Sequence, residues 1–289
     1  MPLPFRLLAV DIDGTLLNSE FKISARDLAA LQHVHSLGIE VVVCTGRRHT
    51  FAMPIVRQLG FDLWLCSSNG AITRSTRGEN FHSDLLPAAV AEEVVRHMAA
   101  FRDGTVITFD MEERGALVFE ESKEIYKHAP MWVEKNQPYI ERVVPLEDCL
   151  RRGRDPIQAM ICGSVDRINV AEALLTECSA RRLIHRMKTE YADRNFSMFD
   201  IVNAGCSKGH ALERLSAARK IPAAEVMAIG DNYNDLEMLE FAGLPVVMAN
   251  SSTGMFDRGW HMTRSNNESG VASAIEHFLG ASLPVAPAV

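Results

Sequence analysis

The sequence has no C-x-x-C cysteine pair, no long apolar run, no excess of positive charge and no internal repeat. Its six cysteines (Cys44, Cys66, Cys149, Cys162, Cys178 and Cys206) are too sparse for a disulfide scaffold. They form no zinc framework and read as reduced thiols. The first apolar run, Leu7 to Val10, stops at Asp11, far short of a signal-peptide core. Nothing later approaches the roughly 20 apolar residues of a membrane span. Lysine and arginine total 30 against 37 aspartates and glutamates, a net charge of −7. That balance offers no polyanion-binding surface, so nucleic acid is not an expected partner. With 47% hydrophobic and 23% charged residues, disordered and fibrous classes are excluded. What remains is a soluble, cytoplasmic chain whose 289 residues make about two domains at roughly 150 residues each. Its oligomeric state is not legible.

Short apolar runs alternate with amphipathic helices, the pattern of parallel βαβ units. Leu7–Val10 predicts a strand buried on both faces. A helix opens at Ser24, with Ser24 and Asp27 as a capping box, Ile23 and Leu28 as a hydrophobic staple and Gly38 after the last turn. Its apolar stripe is Leu28, Leu31, Val34 and Leu37. Strands over 39–43 and 61–66 enclose a second helix that ends at Gly60. From Arg74 to Asp84 the chain is polar and reads as a hairpin, a linker or both. Between there and Asn203 the elements are mixed, as in a second α+β domain, with 120–137 unassigned. The first texture returns after Gly205, with helices over 207–220, 234–242 and 270–279 and strands over 226–229 and 244–248. The tail SLPVAPAV is expected to be loose. The fold class is thus α/β, a doubly wound, Rossmann-like parallel sheet interrupted by an inserted α+β domain. The expected boundaries are 1–83 and 204–289 for the core and 84–203 for the insertion.

Open α/β sheets bind ligands at the carboxyl ends of their strands. After Leu7–Val10 comes Asp11-Ile12-Asp13-Gly14-Thr15, and after Val41–Val43 comes Cys44-Thr45-Gly46-Arg47. Val226–Ile229 leads into Gly230-Asp231-Asn232-Tyr233-Asn234-Asp235, and Lys208 stands at the opening of a helix. Singly, each has an ordinary reading as a turn or a helix cap. Together, Asp11, Asp13, Asp231 and Asp235 put four carboxylates at one sheet edge. Like charges that close cannot all ionise unaided. A hard divalent cation resolves the conflict, and all-oxygen ligands point to Mg²⁺. A lysine in the first helical turn opposes the helix dipole unless an anion binds there. A carboxylate nucleophile, Mg²⁺, a lysine and small polar donors make a phosphoryl-transfer site. Gly205-Cys206-Ser207-Lys208-Gly209 lacks P-loop spacing, which excludes a nucleotide triphosphatase of that kind.

At these residues the sequence resembles the haloacid dehalogenase superfamily of phosphohydrolases. Asp11 to Thr15, the Thr45-Gly46-Arg47 turn, the Ser207-Lys208-Gly209 segment and Gly230 to Asp235 match its four motifs. With Asn69-Gly70-Ala71, they resemble its Cof-type subfamily in particular, which has an α/β cap inserted at 84–203. The family usually shows a small residue around Met248–Ser251 and a lysine-bearing helix after it, whereas here Met248-Ala249-Asn250-Ser251 leads into STGMFDRGW. The resemblance implies Asp11 as the nucleophile forming an aspartyl-phosphate and Asp13 as the acid that protonates the leaving oxygen and then activates water. It implies Mg²⁺ held by Asp11, Asp231 and the backbone carbonyl of Asp13, with Asp235 as ligand or support. Thr45, the Gly46 amide, Lys208 and Asn234 would hold the phosphoryl oxygens, with Arg47 and Asn69 meeting the rest of the substrate. The implied enzyme is a Mg²⁺-dependent phosphatase of small phosphorylated metabolites, sugar phosphates foremost, whose cap closes over the site and selects the substrate. A sugar-phosphate phosphomutase uses the same core. A non-catalytic phosphate-binding or receiver protein also combines aspartates, Thr and Lys, but has no need of Asp13 or of so large an insertion.

Overall fold

The computed structural model describes residues 3–121, 123–191 and 194–280; the tail SLPVAPAV lies outside them. Contacts group the segment ending at Ser83 with the segment beginning at Ser207, and set Asp84–Cys206 apart as a second unit.

In the first unit, eight strands form one sheet in the order β14-β13-β12-β1-β2-β3-β4-β5. These are β1 (Leu7–Val10), β2 (Glu40–Cys44), β3 (Trp64–Ser67), β4 (Ile72–Ser75), β5 (Asn80–Ser83), β12 (Val226–Gly230), β13 (Leu244–Val247) and β14 (His261–Met262). From β14 to β3 every pairing is parallel. The strands β4 and β5 add an antiparallel edge, so the polar stretch after Arg74 is a hairpin, turning at Gly78. Side chains alternate along a strand, and β1 shows how this builds two cores. Leu8 and Val10 pack with α1 (Ala25–Ser36), α2 (His49–Val56) and α9 (Gly270–Leu279) through Leu31, Val34, Val56, Val271 and Ile275. Leu7 and Ala9 pack on the opposite face with α7 (Lys208–Ala218) and α8 (Leu236–Phe241) through Leu212, Leu215, Met238 and Leu239. The core is the expected doubly wound sheet.

Caps follow the sequence closely at α1. The Ser24 hydroxyl accepts the Asp27 N–H at 3.0 Å and donates to Asp27 Oδ2 at 2.7 Å. Asp27 does more than the expected local cap, because its Oδ1 accepts the Ala272 N–H at 2.8 Å. One carboxylate therefore satisfies an orphan donor in the first turn of α9, 245 residues away. Leu37, expected in the apolar stripe of α1, is instead 40% exposed at the helix's C-cap.

The second unit carries a six-stranded sheet in the order β10-β11-β9-β6-β7-β8. Its strands are β6 (Thr105–Thr108), β7 (Leu117–Phe119), β8 (Ile140–Arg142), β9 (Gln158–Gly163), β10 (Ile184–Tyr191) and β11 (Phe196–Asn203). All pairings are antiparallel except β7 with β8. The helices α3 (Ala88–His97) and α6 (Val165–Leu175) bury Val94, Val95, Ile168 and Leu175 on one face. On the other, Ile125 of α4 (Lys123–His128) and Val133 of α5 (Pro130–Asn136) cover Val106, Leu117 and Phe119. The unassigned stretch 120–137 thus holds two short helices. Asn203 Nδ2 donates to Asp84 Oδ1 at 2.6 Å, tying together the two ends of this unit.

Asp27→Ala leaves the Ala272 N–H buried without its acceptor, at a cost of about 1–3 kcal/mol. Urea unfolding should show that loss, and Asp27→Asn, which keeps an acceptor oxygen, should lose less.

Candidate active site

The parallel strands β1, β2 and β12 end at adjacent places and deliver Asp11, Thr45 and Asp231 to one edge. Lys208 arrives from α7, whose N-cap Ser207 accepts the His210 N–H at 3.1 Å. The turn after β3 is pressed against that cap. Gly70 has φ +94, and a Cβ there would lie 2.2 Å from the Ser207 carbonyl oxygen. Only glycine tolerates both conditions. Asn69 beside it is left-handed as well, at φ 55, a conformation asparagine adopts more readily than most residues.

A buried charge cluster lies at the centre. Lys208 is 1% exposed, Asp11 4%, Asp231 7% and Asp235 0%. Lys208 Nζ donates to Asp11 Oδ1 and to Asp235 Oδ1, each at 2.6 Å. These two carboxylates are the anions that a lysine at a helix start requires. The other oxygen of Asp235 accepts the N–H groups of Asp231 at 3.0 Å and Asn232 at 3.1 Å. Asp231 Oδ1 accepts the Thr15 hydroxyl at 3.0 Å. Gly14 has φ +83, and a Cβ on it would sit 2.2 Å from Asp231 Oδ2. The loop after β1 is therefore in close contact with the residue after β12.

Burial pushes the Asp11 carboxyl up from its ordinary 3.8 to about 7, Lys208 pulling it down and Asp235 and Asp13 pushing it further up. Asp231 is raised for the same reason, burial first and then the charges of Asp11 and Asp235. Burial works against the Lys208 ammonium, but Asp11 and Asp235 outweigh it and hold its pKa above the ordinary value. Three carboxylates against one ammonium leave two negative charges unbalanced. One oxygen from each of Asp11, Asp231 and Asp235 lies within 4.8 Å of the others, the only such group of three or more among the described residues. An all-oxygen set of net charge −2 fits a hard divalent cation.

Asp13 stands apart from this cluster. Arg47 grips it in a fork, Nε to Oδ2 at 2.7 Å and Nη2 to Oδ1 at 2.5 Å. The arginine expected to meet the substrate is thus tied to the neighbouring acid. The small polar residues interlock beside it. Asn234 Nδ2 donates to Asn69 Oδ1 at 3.0 Å. The Asn69 N–H donates to the Thr45 carbonyl at 2.9 Å, and a Cβ on Gly46 would come 3.1 Å from Asn69 Oδ1. All ten residues singled out from the sequence thus fall into two neighbouring groups, joined through the Asp11–Asp13 loop. Thr15 joins the site without a role assigned to it from the sequence. Its place four residues after Asp11 in the same turn was the available signal.

A family model of haloacid dehalogenase-like hydrolases matches residues 8–275. The chain belongs to this family. Among haloacid dehalogenase-like hydrolases and their relatives, phosphatase YwpJ of Bacillus subtilis is 28% identical, over 95% of this chain and 100% of its own. The 5-amino-6-(5-phospho-D-ribitylamino)uracil phosphatase YwtE of the same organism is 26% identical, over 95% of this chain and 98% of its own. A crystal structure of a haloacid dehalogenase-like hydrolase from Bacteroides thetaiotaomicron matches with a TM-score of 0.75 at 26% identity, covering 94% of this chain and 99% of that one. The chain is accordingly an enzyme, a phosphoric monoester hydrolase. No helix among the described residues is long and apolar enough to cross a membrane.

The raised Asp11 has a measurable consequence. Between pH 3.8 and about 7 the folded, chelated protein holds a proton that the unfolded chain has released. Its contribution to stability is full below that window and is lost as pH rises through about 7. Thermal melts in EDTA should show wild type losing ground to Asp11→Asn as pH rises from about 5 to about 8. A difference that stays flat across the range would contradict the assigned shift.

Proposed function

We propose that this haloacid dehalogenase-like hydrolase is a Mg²⁺-dependent phosphatase of small phosphorylated metabolites, sugar phosphates foremost, working through an aspartyl-phosphate on Asp11. The observation that carries the reading is the buried Asp11 carboxylate bonded to Lys208 at the carboxyl end of β1, with Asp231 and Asp235 beside it. The substrate class draws support from the relatives' names, one of which is a phosphatase of a phospho-ribitylamino uracil.

In the first step an Asp11 oxygen attacks phosphorus, the bond from phosphorus to the ester oxygen breaks, and Asp13 gives its proton to that oxygen. In the second, water attacks the phosphorus, Asp13 takes a proton from it, and the bond to Asp11 breaks to release inorganic phosphate. Lys208 lies against Asp11, where its charge meets the charge developing on the phosphoryl oxygens. Thr45, the Gly46 amide and Asn234 bind those oxygens, and Asn69 orients Asn234. Arg47 positions Asp13 and meets the rest of the substrate. Asp11, Asp231 and the Asp13 carbonyl would hold the cation, which would supply positive charge to the transferring group. Asp235, the third carboxylate of the buried cluster, also holds Lys208 and the Asp231 backbone in place. Monoester hydrolysis is slow enough to call for accelerations up to ~10²¹. No single nucleophile supplies that, which is why charge must be arranged on several sides at once.

Asp11→Asn should abolish release of p-nitrophenol from p-nitrophenyl phosphate, by about 10⁴-fold or more, while the fold persists by circular dichroism. Retained turnover would reject the covalent route. EDTA should silence the wild-type enzyme and added Mg²⁺ should restore it, whereas full rate in chelator would reject the metal.

A further inference from the structure

We infer that Asn250 is a positioning residue for the metal site, acting through the backbone of the loop that carries Asp13. The inference rests on the proposed reading of that site. Asn250 lies just beyond β13, in the segment that departs from the family's usual pattern. Its Nδ2 donates to the Gly14 carbonyl at 2.8 Å, and its Oδ1 accepts the Asn266 N–H at 2.8 Å. The second bond fixes which way the amide faces, because a backbone N–H can only donate. Asn266 is itself anchored, its Nδ2 donating to the Leu17 carbonyl at 2.8 Å. Beyond it, Asn267 Oδ1 accepts the Ser19 N–H at 2.9 Å. Three asparagines therefore hold the chain after Asp13 at Gly14, Leu17 and Ser19, and the segment that bears two of them leads directly into α9.

The hold at Gly14 matters most. This residue has no Cβ and a φ of +83, the position in the loop most free to turn in the absence of a restraint. On one side it follows Asp13, whose carbonyl is a proposed ligand. On the other it precedes Thr15, whose hydroxyl orients Asp231 at 3.0 Å. Pinning the Gly14 carbonyl fixes the Gly14–Thr15 peptide plane, and with it the Thr15 hydroxyl and the Asp231 carboxylate. The Asn250 bond is exposed, so its worth to the fold is small. Its effect on the site is separable from stability.

The test is calorimetric titration of the substrate-free, full-length protein with MgCl₂, alongside thermal melts. Asn250→Ala removes both bonds, while Asn250→Asp keeps the acceptor for Asn266 and loses only the donor to Gly14. Positioning predicts Mg²⁺ binding weakened about fivefold in both, the worth of one hydrogen bond, with melting temperature within about 3 °C of wild type. A mere charge effect predicts the opposite for Asn250→Asp, since an added carboxylate attracts the cation. Unchanged affinity in Asn250→Ala, tighter binding in Asn250→Asp, or losses that follow a large fall in melting temperature would each overturn the inference. Wild type that binds no Mg²⁺ would overturn the proposed function instead, which keeps the two failures distinct.

Discussion

The organisation of this protein depends on one arrangement, a fully buried ammonium held between two buried carboxylates. Lys208 lies 2.6 Å from both Asp11 and Asp235, and neither side of the triad is open to water. Removing one member of such a group strands the others, which commonly costs about 3–5 kcal/mol. The three residues come from β1, the start of α7 and the turn before α8, so the triad also fixes where two helices meet the sheet. The close approach of Gly70 to the Ser207 carbonyl serves the same end. It brings the turn bearing Asn69 against the first turn of the helix that carries the lysine. A lysine at a helix start is locally unfavourable, and the sheet's carboxylates are what make it tenable.

The unit spanning Asp84–Cys206 has its own energetics. Each face of its sheet is covered by helices, and Arg102 pairs with both Glu120 and Glu147 inside it. The buried carboxylate cluster lies wholly in the other unit, on residues from both of its chain segments. All its residues belong to that unit, although the insertion interrupts the sequence between Asp13 and Lys208.

Much of this was legible in the sequence because the local signals agreed with the global fold. Leu7–Val10 is apolar on both alternating faces, and Ser24, Asp27 and Gly38 mark the ends of α1 in the ordinary way. The acids were legible because each follows an apolar run directly, and a parallel sheet collects such positions at one edge. Other features left weaker traces. The helices α4 and α5 are too short to show a full apolar stripe, and β14 is only two residues long. The fork between Arg47 and Asp13 and the clasp of Asn250 on Gly14 join residues 34 and 236 positions apart. Such pairs carry no periodicity, and an exposed asparagine in a loop has no signature until its partner is known.

Exposure is graded across the site, and the grading follows the proposed division of labour. Asp11, Asp231, Asp235 and Lys208 are sealed from water, whereas the side chains of Asp13 and Arg47 remain 36% and 28% exposed. A nucleophile and the charges that steady it gain from a low dielectric, where each interaction is stronger than in water. An acid that must lose a proton and regain one in every turnover needs a route to solvent. Arg47 reconciles the two demands, because a bidentate guanidinium fixes the direction of a carboxylate without burying it. The same fold thus keeps two aspartates, two residues apart in sequence, in opposite environments. Strand β1 makes this possible by ending at Val10: Asp11 stays beside the sheet, and Asp13 is already in the turn that leads away from it.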